Sequence, residues 1–163
     1  MSFAVTIAIN TIVVTVQFDA PVLEESLVSE AKPLSGVRVM VIDDSNTIRR
    51  SAEIFLLQAG CQVILAENGF DSLVKIADHH PDLIFVDVMM PRLDGYQTCA
   101  LIKKNAKFRV TPVIMLSSKD SLFDRARGRM VGSDEYLTKP FSKDSLLKTV
   151  EAHLPGRIAG NVV

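Results

Sequence analysis

The chain has no tryptophan, only two cysteines and almost no net charge. Each scarcity excludes something. Cys61 and Cys99 are too few for a disulfide scaffold, and no Cys-x-x-Cys spacing supports redox or zinc chemistry. Two small buried thiols in a reducing compartment are expected instead. Lys and Arg number 18 against 19 Asp and Glu, so no basic surplus marks a surface that wraps nucleic acid. The longest apolar stretch, residues 3–16, is broken by Thr6, Asn10, Thr11 and Thr15. It falls short of the roughly 20 residues that cross a bilayer as a helix. No Lys or Arg precedes it and no small-residue cleavage site follows, which argues against a signal peptide. The chain is therefore expected to be cytoplasmic, with neither membrane insertion nor a nucleic-acid partner. Apolar residues make up 48% of the sequence, enough for a globular core, which excludes disorder along its whole length.

Composition shifts near Gly36. Residues 1–36 carry Asp19, Glu24, Glu25 and Glu30 against Lys32, a net of −3, which leaves +2 for the rest of a chain at −1. Residues 3–18 are rich in Val, Ile, Thr and Phe and suit a strand or hairpin. Residues 19–36, with Pro21, Pro33, Ser35 and Gly36, read as a linker. The expected organisation is an N-terminal extension over 1–36, a domain over 37–155 and a tail over 156–163.

Within the domain one pattern recurs. Apolar runs at 37–42, 61–66, 83–86, 112–116 and 135–137 alternate with helical patterns at 69–79, 94–105 and 120–130. A further helix carries Ile48, Ala52, Phe55 and Ala59 on one face and stops at Gly60. The last follows an N-cap at Ser142 and buries Leu146, Leu147, Val150 and Leu154. Strands without alternation are buried on both faces, which means a parallel sheet covered by helices on each side. The predicted fold is α/β, a flavodoxin-like doubly wound five-stranded parallel sheet in order 2-1-3-4-5 with five helices.

Ligands in such sheets sit beyond the carboxyl ends of the strands. Strand one ends in Asp43-Asp44, strand three in Asp87 and strand four in Ser117, while Lys139 follows strand five. The predicted order makes these strands neighbours, so three carboxylates, a hydroxyl and an ammonium converge on one rim. Strand two ends in Ala66-Glu67 and adds nothing comparable. Singly, an aspartate after a strand is a helix cap, Lys-Pro a turn and Ser117 a cap hydroxyl. Only their coincidence is informative. Clustered carboxylates repel unless neutralised. An oxygen-only ligand set with room for water and phosphate suits Mg²⁺. Asp87, between metal and lysine, is then the natural nucleophile toward a phosphoryl group.

The wording around these positions resembles the receiver domain of two-component response regulators. The motifs are Val41-Ile42-Asp43-Asp44-Ser45, Phe85-Val86-Asp87-Val88-Met89-Met90-Pro91, Leu93-Asp94-Gly95, Met115-Leu116-Ser117-Ser118 and Tyr136-Leu137-Thr138-Lys139-Pro140-Phe141. The resemblance covers residues 36–155, and its wider wording is similar to the stand-alone regulators of type IV pilus twitching motility. It implies that Asp87 is the phosphoacceptor, with Lys139 and Ser117 acting on the phosphoryl group. Asp43, Asp44, Asp87 and the backbone carbonyl of Met89 would hold Mg²⁺. Ser117 and Tyr136 would form the switch, Gly95 a backbone turn and Lys139-Pro140 a cis peptide. A chemotaxis-type histidine kinase would be the phosphodonor. A downstream protein would be reached through the face of the fourth helix, fifth strand and last helix. The chain would then be no enzyme beyond Mg²⁺-dependent self-phosphorylation and slow autodephosphorylation.

Other readings are weaker. A flagellar or other chemotaxis-type pathway is an alternative to the pilus. An aspartate-nucleophile phosphohydrolase wants a second Asp two residues on, where this chain has Met89. In an FMN binder the Asp43-Asp44 pair would repel the flavin phosphate. His79, His80 and His153 form no metal set and are expected at exposed helix ends. Arg125, Arg127 and Arg129 are expected to form a solvated face.

Overall fold

The computed structural model describes residues 3–9, 12–18, 32–119 and 122–157. Packing divides the chain between Ala31 and Lys32. Ahead of that point, β1 (Phe3–Ile9) and β2 (Ile12–Phe18) pair antiparallel, with Phe3 opposite Phe18 and Ile9 opposite Ile12. Their Val, Ile and Thr residues are stiff at χ1 and favour extended backbone. The expected linker lies outside the described residues as far as residue 31, as does the tail from residue 158.

The second unit begins at Lys32, ahead of the start expected at Val37. Leu34 is fully buried, its N–H donates to the Ala59 carbonyl at 3.1 Å, and the Gly36 N–H donates to Gly60 at 3.3 Å. The Pro33–Gly36 breakers thus mark a turn built into the core rather than a separation.

From there the chain runs β3 (Arg38–Ile42), α1 (Asn46–Gln58), β4 (Gln62–Ala66), α2 (Gly69–His79), β5 (Leu83–Asp87) and α3 (Gly95–Lys104). It continues through β6 (Val113–Ser117), α4 (Leu122–Met130), β7 (Glu135–Thr138) and α5 (Lys143–His153) to a short 3₁₀ turn at Pro155–Arg157. The sheet is parallel throughout, in the order β4-β3-β5-β6-β7, which is 2-1-3-4-5 counted within the domain. The expected fold is the observed one.

Successive strand residues point to opposite faces. Val39, Val41, Leu83, Phe85, Ile114 and Leu116 pack with Ala52 and Leu56 of α1 and with Leu146 and Val150 of α5. Met40, Ile42, Ile84, Val86, Val113 and Met115 pack with Ile76 of α2 and with Cys99 and Ile102 of α3. Both faces are covered, which is why the strands read as unbroken apolar runs. Helix entry is set locally. Ser45, Asn68, Asp94 and Ser142 cap α1, α2, α3 and α5 through side-chain oxygens that accept backbone N–H groups. These caps leave each preceding strand end free to present its own side chains. Among the described residues no helix is long and apolar enough to cross a membrane.

Candidate functional site

The caps and the parallel register bring four strand ends to one rim. Asp43, just past β3, is fully buried. Its Oδ1 accepts the Ser45 N–H at 2.8 Å, and its Oδ2 accepts the Lys139 ammonium at 3.1 Å. Asp87 is the last residue of β5 and is 3% exposed. Its Oδ1 accepts Lys139 Nζ at 2.8 Å. Asp44 turns outward and is exposed. Carboxylate oxygens of Asp43, Asp44 and Asp87 all lie within 4.8 Å of one another.

Two buried carboxylates bridged by one lysine explain how the rim tolerates its charge. An unpaired buried charge costs several kcal/mol, roughly 3–5 when one partner of a pair is removed. Burial pushes the Asp87 carboxyl up, the Lys139 hydrogen bond pulls it down, and the neighbouring Asp43 charge pushes it up again; the net direction is upward. Burial alone would lower the Lys139 ammonium, but its bonds to Asp87 and Asp43 outweigh that and raise it. The donor set is all oxygen, with one solvent-facing carboxylate, and fits a hard divalent cation such as Mg²⁺.

Lys139 is placed by its own backbone, whose N–H donates to the Ser117 carbonyl at 2.7 Å, and the Lys139-Pro140 peptide is cis. Ser117 ends β6, buried, one position beyond the residue opposite Asp87. Its Oγ accepts the Lys119 N–H at 3.1 Å. The Met89 side chain is exposed, while its backbone hydrogen-bonds the Asp87 carboxylate. Gly95 is required by close approach: a Cβ there would stand 2.2 Å from the Asp87 carbonyl oxygen.

Tyr136 is buried on β7, and its hydroxyl lies 2.8 Å from that of Tyr96, the second residue of α3. The Tyr96 hydroxyl also donates to the Asp124 carbonyl on α4 at 3.4 Å. Tyr96 thus joins β7 to α4 through two hydroxyl contacts, the shorter of them to Tyr136. Burial, then Tyr136, keeps the Tyr96 hydroxyl protonated far above its usual range.

Sequence reasoning missed Tyr96 and Arg49. Arg49 Nη1 donates to the Asp43 carbonyl at 2.6 Å, bracing the acidic loop from α1. Arg49 lies outside the motifs, and Tyr96, next to Gly95, meets a tyrosine 40 residues away in sequence. Two expectations are corrected. Two of the three arginines of α4 are not simply solvated: Arg127 lies 4.2 Å over the Tyr96 ring and 3.9 Å from Asp94, and Arg125 lies 5.9 Å over Tyr136. An arginine stem and guanidinium find an aromatic face as readily as water. His79 and His80 are exposed as expected, but His153 is half-buried, 2.9 Å from the Thr149 carbonyl and 3.4 Å from Glu135. The Thr149 carbonyl one helical turn back and the Glu135 carboxylate hold the ring against the protein. Cys61 and Cys99 are free and buried, and burial pushes each thiol up to about 11.

The geometry has relatives. Protein PilG of Pseudomonas aeruginosa is 70% identical over 120 residues, spanning 74% of this chain and 89% of its own length. Protein PilH of the same organism is 37% identical over 119 residues, 73% of this chain and 98% of its own. The solved chemotaxis protein CheY4 of Vibrio cholerae superposes with a TM-score of 0.72 at 32% identity, covering 74% of this chain and 100% of that one. The family model of the response regulator receiver domain matches residues 39–151, from the second residue of β3 to within α5 and so across the whole rim. The chain therefore belongs to the response regulator receiver domain family and is a phosphorylation-dependent signalling protein of a two-component system.

Proposed function

We propose that Asp87 accepts a phosphoryl group from the phosphohistidine of a chemotaxis-type histidine kinase and passes the signal to a protein partner. The observation that carries this reading is Lys139 Nζ, 2.8 Å from Asp87 and 3.1 Å from Asp43 on a buried rim. An Asp87 oxygen attacks phosphorus, the phosphorus–nitrogen bond breaks, and the histidine leaves as imidazole. Lys139 is already poised to turn from the Asp87 carboxylate to the phosphoryl oxygens. Ser117, one position beyond Asp87 on the adjacent strand, offers its hydroxyl to one of those oxygens. Asp43, Asp44, Asp87 and the Met89 carbonyl would hold Mg²⁺, which when bound offsets the charge of the transferring group. Small phosphodonors would serve the same site, with slow hydrolysis as the return step.

The readout face in this reading is α4, β7 and α5, reached through Ser117 and Tyr136. Tyr136 lies inward, so this face has the ring-in arrangement. The resemblance to regulators of twitching motility, together with 70% identity to Protein PilG, supports a place in type IV pilus control in the cytoplasm. The receiver unit alone would take the phosphoryl group, with residues ahead of Lys32 dispensable for that step.

Intact mass after incubation with Mg²⁺ and a small phosphodonor tests the assignment. One phosphoryl adduct, labile to hydroxylamine, is expected on the wild type and none on Asp87→Asn. An adduct on that variant, or on Ser117, would overturn it.

A further inference from the structure

Two routes lead from Asp87 to α4. One runs along the sheet, through Ser117 and Tyr136. The other runs through the loop that follows Asp87. The Gly95 N–H donates to Val88 at 3.0 Å, and Gly95 sits so close to Asp87 that no side chain fits there. Asp94 caps α3 on one side of that glycine and Tyr96 stands on the other. Any displacement of the Asp87 loop is therefore delivered directly to Asp94 and Tyr96.

The two routes meet at the hydroxyl pair. The Tyr96 hydroxyl on α3 lies 2.8 Å from that of Tyr136 on β7 and 3.4 Å from the Asp124 carbonyl in the first turn of α4. Arg127, one turn further along α4, stacks on the Tyr96 ring and reaches Asp94. Helix α4 needs these contacts, because among its residues only Gly128 is buried, while Leu122, Phe123 and Met130 are exposed. Gly128 is itself a close approach: a Cβ would meet the Tyr136 ring at 3.2 Å. Thus α4 lies on two tyrosines instead of on an apolar stripe.

We infer that Tyr96 is the positioning residue of the switch: its hydroxyl holds Tyr136 inward and, with Arg127, fastens α4 to the phosphoacceptor loop. The inference rests on the reading of Asp87 as phosphoacceptor and adds to it a second, loop-borne path to the readout face. Substituting phenylalanine for Tyr96 removes only the hydroxyl and leaves the ring, so the packing of α3 survives while the relay is cut.

The test is amide hydrogen exchange on the full chain, for wild type, Tyr96→Phe, Tyr136→Phe and the double variant, each with and without beryllofluoride plus Mg²⁺. Without beryllofluoride, Tyr136→Phe should speed exchange in residues 122–130 roughly fivefold, the worth of one buried hydrogen bond, and Tyr96→Phe, which also loses the Asp124 contact, should speed it further. The double variant should add little to Tyr96→Phe, which has already cut the shared bond. With beryllofluoride, residues 88–95 should respond at the same midpoint in wild type and Tyr96→Phe, whereas the response of residues 122–138 should shrink severalfold in the variant. Arg127→Lys, which keeps the charge toward Asp94 but loses the planar stack, should loosen α4 in the same direction. Independent, additive effects of the two tyrosine variants would overturn the latch. So would an undiminished response of residues 122–138 in Tyr96→Phe. If beryllofluoride leaves residues 88–95 of the wild type unchanged, the phosphoacceptor reading fails instead, and the beryllofluoride-free cycle still decides the latch.

Discussion

Helices α4 and α5 flank the same strand, β7, from opposite faces of the sheet, yet they are held in different ways. α5 begins with a capping box between Ser142 and Ser145 and buries Leu146, Thr149 and Val150. Its stripe meets α1 and the inner strand residues in one continuous cluster. α4 offers no such stripe. Its apolar residues face outward, Arg125 and Arg127 lie over aromatic rings, and its one buried position is a glycine. Apolar burial of the α5 kind stabilises by about 1.5–3 kcal/mol per large side chain. A cation–π contact is worth about 0.5–1 kcal/mol at an exposed site. The difference teaches where a small chemical event can be felt. Helix α4 is held by contacts that are each worth less than the buried side chains of α5.

The sharpest way to break this comparison is one substitution made twice. Leu146→Ala in α5 should lower unfolding stability by about 3 kcal/mol, since a fully buried leucine leaves a cavity. Leu122→Ala in α4, where the side chain is 85% exposed, should stay within about 0.5 kcal/mol. Chemical denaturation of both variants measures this, and equal losses would abolish the distinction.

Gly128→Ala probes how closely α4 lies on Tyr136. Alanine favours helix by up to about 1 kcal/mol over glycine. Against that, the new Cβ meets Ser133 Oγ at 2.8 Å and the Tyr136 ring at 3.2 Å. Crowding of this kind costs about 1–3 kcal/mol, so a net loss near 1 kcal/mol is expected. A gain in stability would show that α4 does not need the close approach.

The rim itself carries strain of charge in place of packing. The Asp87 pKa is raised in the folded chain. Its contribution to stability is therefore complete below the ordinary aspartate pKa and is lost as pH rises through the higher folded value. At neutral pH the ionised carboxylate costs stability that Asp87→Asn does not, and Lys139 retains Asp43 in that variant. Asp87→Asn should be more stable at pH 7 by about 1 kcal/mol, in the usual range for relief of active-site strain. The gain should shrink as the pH is taken down toward 4. Denaturation curves at several pH values check the sign.

The smallest effect concerns the thiols. Both are pushed up to about 11 by burial, so both should label slowly at pH 8 in the native protein. They sit in different layers, however. Cys61 belongs to the α1 and α5 layer, whereas the Cys99 thiol donates to the carbonyl of Val131, just past α4, at 3.7 Å. Local opening of α4 uncovers Cys99 first, so Cys99 should label severalfold faster than Cys61. Mass-resolved alkylation distinguishes them, and equal rates would mean that only global unfolding exposes either thiol.

Much of this molecule was legible from the sequence because its determinants are local. Apolar runs bounded by Gly, Pro and capping residues announce strands and helices, and strict alternation of the two leaves few parallel topologies. Once the order is set, residues at the carboxyl ends of neighbouring strands must meet, so Asp43, Asp44, Asp87, Ser117 and Lys139 follow from periodicity and position. What depends on side-chain packing across long sequence separations was not legible. Leu34 sits in a stretch whose prolines and glycine suggest a linker, and only its insertion against Ala59 makes it core. The pairing of Tyr96 with Tyr136, the stacking of Arg127 and the bracing of Asp43 by Arg49 arise where separate elements converge. Composition and spacing specify which groups the strands carry to the rim. Tertiary structure alone decides which neighbours hold them there, because a hydrogen bond between two hydroxyls has no period in the sequence.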